Sequence, residues 1–204
     1  MDRQKTRFVD GAVERGVDGG QAAGIFELVN EFAGYGFNKS HAAAYAMISF
    51  QTAYLKAHHP TEFMAAIMSL DIANVEKLAQ FYQEAKRMDL EIVPPCVNST
   101  FADFEVKDGK VLYALGAIKN VGLEAMRHVV DVRTEGGPFK DLFDFCHRID
   151  LKKASKRTLE ALIRAGAMDC FGLERASLMA QLPEAVQAAD QARQNRESGI
   201  FVFE

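Results

Sequence analysis

A chain of 204 residues is long enough for one large domain or two small ones, and its 49% apolar and 25% charged residues exclude disorder throughout. No apolar run reaches the roughly 18 residues of a membrane helix, and the polar first ten residues exclude a signal peptide, so the expected location is cytoplasmic. The net charge of -4 argues against a basic nucleic-acid binder, but Leu151 to Arg164 holds Lys152, Lys153, Lys156, Arg157 and Arg164 against one acid, Glu160, a local patch able to hold phosphates.

The first 33 residues read as helical. Asp18 is placed to cap a helix carrying Ile25, Leu28, Val29 and Phe32 at helical spacing. Gly34-Tyr35-Gly36 breaks it, and Asn38 or Ser40 caps the next helix, from about His41 to His58. Pro60 and Thr61 open a third, and a fourth runs from about Asn74 to Met88 with Val75, Leu78, Ala79, Tyr82 and Ala85 as its apolar stripe. Pro94-Pro95 forbids helix and marks the expected domain boundary. Asp108-Gly109 between β-prone runs predicts a hairpin. Helices are then expected from Leu123 to about Arg133, from Asp141 to Arg148, from Lys156 to Ala165 with Ser155 as cap, from Glu174 to Leu182, and from Pro183 to about Arg196.

Cys96, Cys146 and Cys170 have neither disulfide-framework nor zinc spacing and read as buried free thiols. No Asp-x-Asp occurs, and Asp103, Glu105, Asp141 and Asp144 have structural explanations, so no catalytic or metal-binding residue is assigned.

Two patterns point to phosphate. In the first, a glycine-flexed turn enters a helix whose start carries Asn38, Lys39, Ser40 and His41, with Tyr45 one turn on. Free N–H groups and the positive dipole end favour anions there, and a nucleoside triphosphate suits the polar-aromatic face of His41, Tyr45, Ser49 and Thr52. The alternative is a capped core helix with His41 satisfied by a neighbour. In the second pattern, Leu115-Gly-Ala-Ile-Lys-Asn-Val-Gly122 and Leu162-Ile-Arg-Ala-Gly-Ala-Met-Asp169 each place a glycine turn between helical segments. Such turns cradle DNA phosphates through backbone N–H groups without reading sequence. Lys119, Asn120 and Gly122 belong to the first turn, Arg164, Gly166 and Arg175 to the second, and Lys152, Lys153, Lys156 and Arg157 lie between. Either turn alone is equally an ordinary αα-corner.

Phe32 to Ala46 and Gln51 to Ala65 resemble signatures of the bacterial DNA polymerase III alpha-subunit family, the C-family replicative polymerases, and the two glycine turns resemble its paired helix-hairpin-helix region. The resemblance covers almost the whole chain. It implies a mainly α fold: a helical late-fingers segment over residues 1–94, then a small β-hairpin and paired helix-hairpin-helix module over 95–182, and a C-terminal helix and tail over 183–204. It also implies a DNA-directed DNA polymerase in which Asn38, Lys39, Ser40, His41 and Tyr45 face the incoming deoxynucleoside triphosphate and the module grips duplex primer–template. Mg²⁺ would be held by palm aspartates outside this chain, leaving the chain inactive by itself. The family's sliding-clamp peptide is not matched, because Glu197-Ser-Gly-Ile-Phe-Val-Phe-Glu204 lacks its glutamine. The competing expectation is a free-standing helical protein-interaction domain without DNA affinity. Methionines and phenylalanines over residues 47 to 70 are expected to drive self-association.

Overall fold

The computed structural model describes residues 2–34 and 39–197. The chain is mainly helical and divides into two compact units, Met1–Tyr54 and Leu55–Glu204. The expected boundary near Pro94 does not coincide with this break in packing.

In the first unit, α1 (Asp2–Val13) and α2 (Gly19–Gly34) pack on each other. Phe8 and Phe26 meet at 5.6 Å between ring centroids, and Lys5 pairs with Glu27. The Asp18 carboxylate accepts the N–H of Gln21 at 2.9 Å, the expected cap. The apolar stripe of α2 is open to solvent, with Leu28 and Phe32 each 67% exposed. Helix α3 (Lys39–His58) begins in this unit, and Met47, Ile48, Phe50 and Tyr54 are all exposed along it. Within this chain these side chains are exposed rather than core. Ser40 is the second helical residue rather than a cap, while Asn38 lies outside the described residues.

The second unit holds two apolar clusters. The smaller joins α4 (Pro60–Leu70) and α5 (Val75–Arg87) to a sheet, through Ala65, Met68, Leu78, Phe104, Val111 and Ala114. Asn74 caps α5 by accepting from Lys77 N–H at 3.1 Å. Leu78 and Ala85 of the expected stripe are buried, but Val75 is exposed. The expected hairpin forms from β2 (Glu105–Lys107) and β3 (Lys110–Leu112), with Val106 opposite Val111. Asp108 and Gly109 both take positive φ, 51° and 73°, the mirror-image turn that matches strand twist. The hairpin is part of a larger sheet than expected: β1 (Ile92–Val93) pairs parallel with β3, giving the order β1-β3-β2.

The larger cluster is formed by α6 (Leu123–Gly136), α7 (Leu142–Arg148), α8 (Lys156–Arg164) and α9 (Arg175–Glu197), with Val97, Ala102 and Leu115. Asp141 caps α7 and Ser155 caps α8, each through the N–H three residues on. Helix α9 corrects the expectation of two helices, for it runs unbroken through Pro183. Its buried residues Leu178, Leu182, Ala185 and Ala189 form one stripe on both sides of the proline. Burial of that stripe outweighs the roughly 3 kcal/mol interior-proline penalty.

Two buried or half-buried arginines lock this cluster. Arg133, 9% exposed, donates to Val97 O (2.9 Å) and Thr100 O (2.7 Å) and lies over the Phe101 ring. Arg148 donates to Val132 O, Gly137 O and Pro138 O, pairs with Asp144 at 3.2 Å, and lies over Phe139. It thereby joins carbonyls in the last turns of α6 and just beyond its end, among them the C-cap Gly137 O that the helix leaves unpaired. Asn98 and Phe139 exchange two 2.8 Å hydrogen bonds between the Cys96–Thr100 turn and the α6–α7 connection.

Candidate nucleic-acid interface

Helix α8 is strongly two-sided. Thr158, Leu159, Leu162 and Ile163 are buried, which turns Lys156, Arg157 and Arg164 to solvent. Its first turn faces the first glycine turn of the same unit. A one-turn 3-10 segment, Leu115–Ala117, leads into Lys119 and Asn120, and Asn120 takes a left-handed φ of 68°. Gly116 lies too close to Ala102 O and Leu123 for any side chain, since an added Cβ would fall 2.8 and 2.7 Å from them. The Asn120 carboxamide oxygen accepts from Arg157 Nη2 at 3.0 Å and ties the turn to α8.

Between them lies an open cleft of about 1000 Å³ lined by Lys119, Asn120, Lys156, Arg157, Glu160 and Arg164, with Tyr113, Ile118, Val75 and Pro95 among the other walls. Lys119 and Lys156 are exposed and have no acidic partner among the described residues. Arg157 donates to a neutral amide, so this contact does not offset its charge. Arg164 is set against Glu160 at 3.8 Å. Positive charge therefore dominates the cleft, although the chain is acidic overall.

Gly122 is the N-cap of α6, at φ -82°, and an added Cβ would meet nothing within 4 Å. Neither backbone conformation nor internal packing requires glycine there. Gly166 differs. Its φ is 79°, and an added Cβ would lie 2.3 Å from Arg175 Nη2. Arg175 is engaged with Asp169, Nε to Oδ1 at 2.9 Å and Nη2 to Oδ2 at 2.6 Å, and reaches Arg164 O at 3.4 Å. The Arg175 hydrogen bond holds the Asp169 carboxyl below its ordinary pKa, against the opposing effect of burial. This clamp closes the second turn and engages the Arg175 guanidinium internally.

Of the residues expected to contact DNA, Lys119, Asn120, Lys156, Arg157 and Arg164 come together around the cleft. Lys152 instead lines a separate concavity with His128, His147, Arg148, Arg193 and Arg196, and Lys153 is exposed in the loop before α8. Of those expected to meet a nucleotide, His41 and Tyr45 have ring centroids 4.3 Å apart at the start of α3, and both are exposed. The Lys39 side chain, like Asn38, lies outside the described residues. Among the described residues no cluster of three or more His, Cys, Asp or Glu could hold a metal ion, and no helix is long and apolar enough to cross a membrane. The sequence reading missed Arg133, though its signal was present: it falls seven residues after Met126 and four after Val129, on the buried face. It also missed Tyr113, which reaches the cleft wall through long-range sheet pairing.

The pair of glycine turns around a basic cleft makes this region a helix-hairpin-helix module, and a family model described as "Helix-hairpin-helix motif" matches residues 89–178. Over nearly its whole length the chain is homologous to a segment of DNA polymerase III subunit alpha, the family its sequence resembles. It is 56% identical over 199 residues (98% of this chain) to that subunit of Caulobacter vibrioides. Identity is 52% over 195 residues (95% of this chain) with that of Vibrio cholerae, and 49% over 192 residues (94%) with that of Escherichia coli K12. The chain spans about 17% of the length of each of these relatives.

Proposed function

We propose that this chain acts as part of a DNA-directed DNA polymerase of chromosome replication and that its helix-hairpin-helix module holds duplex primer–template by the phosphates. The observation that carries the reading is the gathering of Lys119, Lys156, Arg157 and Arg164 around one cleft beside two glycine turns. Lysine and arginine side chains with backbone N–H groups suit contacts that fix register without reading sequence. Gly122 leaves the α6 N-terminus open to a phosphate oxygen.

The segment over residues 1–94 is assigned to the late fingers, with Asn38, Lys39, Ser40, His41 and Tyr45 toward the incoming deoxynucleoside triphosphate. The His41–Tyr45 pair, with rings tilted at 46° to each other, suits a base or sugar face. The exposed apolar residues of α2 and α3 suit packing against the rest of the polymerase. Mg²⁺ and the carboxylates of phosphoryl transfer would come from that remainder, and any sliding-clamp contact lies beyond the motifs recognised in this chain.

The test is fluorescence anisotropy with labelled duplexes of unrelated sequence at several salt concentrations. Affinity that falls steeply with salt and ignores sequence is expected. Absence of binding at low salt would favour a helical protein-interaction scaffold instead.

A further inference from the structure

The face of α9 that packs on the core changes character before the helix ends. Leu178, Leu182, Ala185 and Ala189 are buried. One and two turns beyond Ala189 the same face carries Arg193 and Arg196 instead. They arrive where α9 runs beside α7, and there they line a concavity of about 360 Å³ with His147 of α7, His128 of α6, and Asp150 and Lys152 of the loop before α8. Cys146 forms part of its apolar wall. It is the buried one of the three cysteines, whereas Cys96 is half-buried and Cys170 exposed, so the expectation of three buried thiols holds for Cys146 alone.

The polar contacts in this concavity leave cationic groups without an anion. Arg193 pairs with Asp190 of its own helix at 2.9 Å, and Arg148 with Asp144 at 3.2 Å. Lys152 and Arg196 form no ion pair among the described residues, and both are exposed. Asp150 is the acid of the lining, and its carboxylate accepts the backbone N–H of Lys152 at 2.9 Å. Arg196 Nη2 lies 2.7 Å from His147 Nε2. A guanidinium has only donors, so the imidazole nitrogen is the acceptor. His128 Nε2 likewise accepts the N–H of Asp150 at 2.9 Å. Each ring therefore carries its proton on Nδ1, a further donor in a site already rich in them.

We propose that this concavity is an oxyanion site that takes a phosphate group, held by the charges of Lys152 and Arg196. Arg193 and the two imidazoles complete its donor set. Three separate parts of the chain supply donors: α9, the loop before α8, and the histidines of α6 and α7. A phosphate offers acceptor oxygens in several directions and matches such convergence better than the two coplanar oxygens of a carboxylate. Its negative charge also offsets Lys152 and Arg196, which the fold leaves unbalanced. The same chemistry belongs to a free inorganic diphosphate and to the backbone of a nucleic acid. The site is separate from the basic cleft, and it stands whether or not that cleft holds duplex DNA.

The experiment follows the imidazole ring protons of the 204-residue chain by NMR, with the His128 and His147 signals assigned through His128→Gln and His147→Gln. Inorganic pyrophosphate is titrated at an ionic strength held constant with sodium chloride. Saturable shifts of both signals are expected. Lys152→Gln leaves the Arg196–His147 contact intact and should weaken binding about tenfold, the loss of one hydrogen bond to a charged group. Adding Arg196→Gln should weaken it further. A second titration uses a short single-stranded oligonucleotide and a chain carrying Lys119→Gln and Lys156→Gln, which removes two charges from the cleft. Saturable shifts with pyrophosphate alone assign the site to a free oxyanion, and saturable shifts with the oligonucleotide assign it to backbone phosphate. No saturable shift with either ligand would overturn the proposal, as would an affinity unchanged by both Lys152→Gln and Arg196→Gln.

Discussion

Salt dependence offers the sharpest test of the phosphate-gripping cleft. Lys119, Lys156 and Arg157 carry charges that no carboxylate offsets among the described residues, whereas Arg164 faces Glu160 at 3.8 Å. If each of the three meets one phosphate, log K for duplex DNA falls against log salt with a slope of about -2.7. Affinity then drops about 40-fold between roughly 50 and 200 mM monovalent salt. The paired substitution Lys119→Gln and Lys156→Gln leaves one such contact, a slope of about -0.9 and a drop of only about 3.5-fold over the same interval. Both lysines are exposed and neither side chain makes a hydrogen bond among the described residues, so folding should be untouched. Anisotropy titrations of both proteins at five or six salt concentrations, on two duplexes of unrelated sequence, give the slopes. A double variant that keeps the parental slope would refute the placement of phosphates in this cleft.

Four other outcomes follow from the geometry. Gly166→Ala forces a side chain into a left-handed backbone and against Arg175, and should cost about 1–3 kcal/mol in urea unfolding. Gly122→Ala meets no neighbour and loses only glycine's advantage over alanine as an N-cap, so stability should fall by no more than about 1 kcal/mol while duplex affinity falls; unchanged affinity would count against phosphate approach at α6. Arg133→Met leaves Val97 O and Thr100 O without their donor and should cost about 3 kcal/mol by the same unfolding assay. The Asp169 carboxyl has a lowered folded-state pKa, so its contribution is fully present above the unfolded aspartate value of about 4 and is lost as pH falls through the depressed one. Asp169→Asn should therefore flatten the acid limb of a stability–pH profile, and an identical limb in both proteins would dismiss the clamp.

Local chemistry in the sequence was a good guide wherever it had no tertiary competitor. Asp18 and Ser155 each accept a helix N–H as expected of a cap, and Asn74 and Asp141, read as the first residues of their helices, prove to be their caps. Asp108-Gly109 makes its turn for the same reason, since both residues tolerate positive φ. The readings that needed long-range information fared differently. The parallel pairing of β1 with β3 joins residues that no local pattern relates, and it also brings Tyr113 to the cleft. Pro183 reads locally as a helix start, yet the apolar stripe on both sides of it packs as one face. The break near Pro94 is a change of composition, while Met68 and Leu78 share their core with Phe104 and Val111 across it.

The same contrast explains why only part of the basic cluster forms a site. Charge density along residues 151–164 does not distinguish Lys152 from Lys156, but helical geometry does. Burial of Leu159, Leu162 and Ile163 fixes the roll of α8 and points Lys156, Arg157 and Arg164 along one exposed edge. The loop before the Ser155 cap has no such constraint, and Lys152 turns toward His128 and His147. Asn120 then sets the partner, because its left-handed φ presents a neutral acceptor to Arg157 and steadies that side chain without cancelling its charge. A carboxylate in its place would offset one of the three charges on which phosphate binding depends. Asn120→Asp should thus retain the contact to Arg157 and lower the salt slope by about one. A slope unchanged by that substitution would mean that Arg157 meets no phosphate.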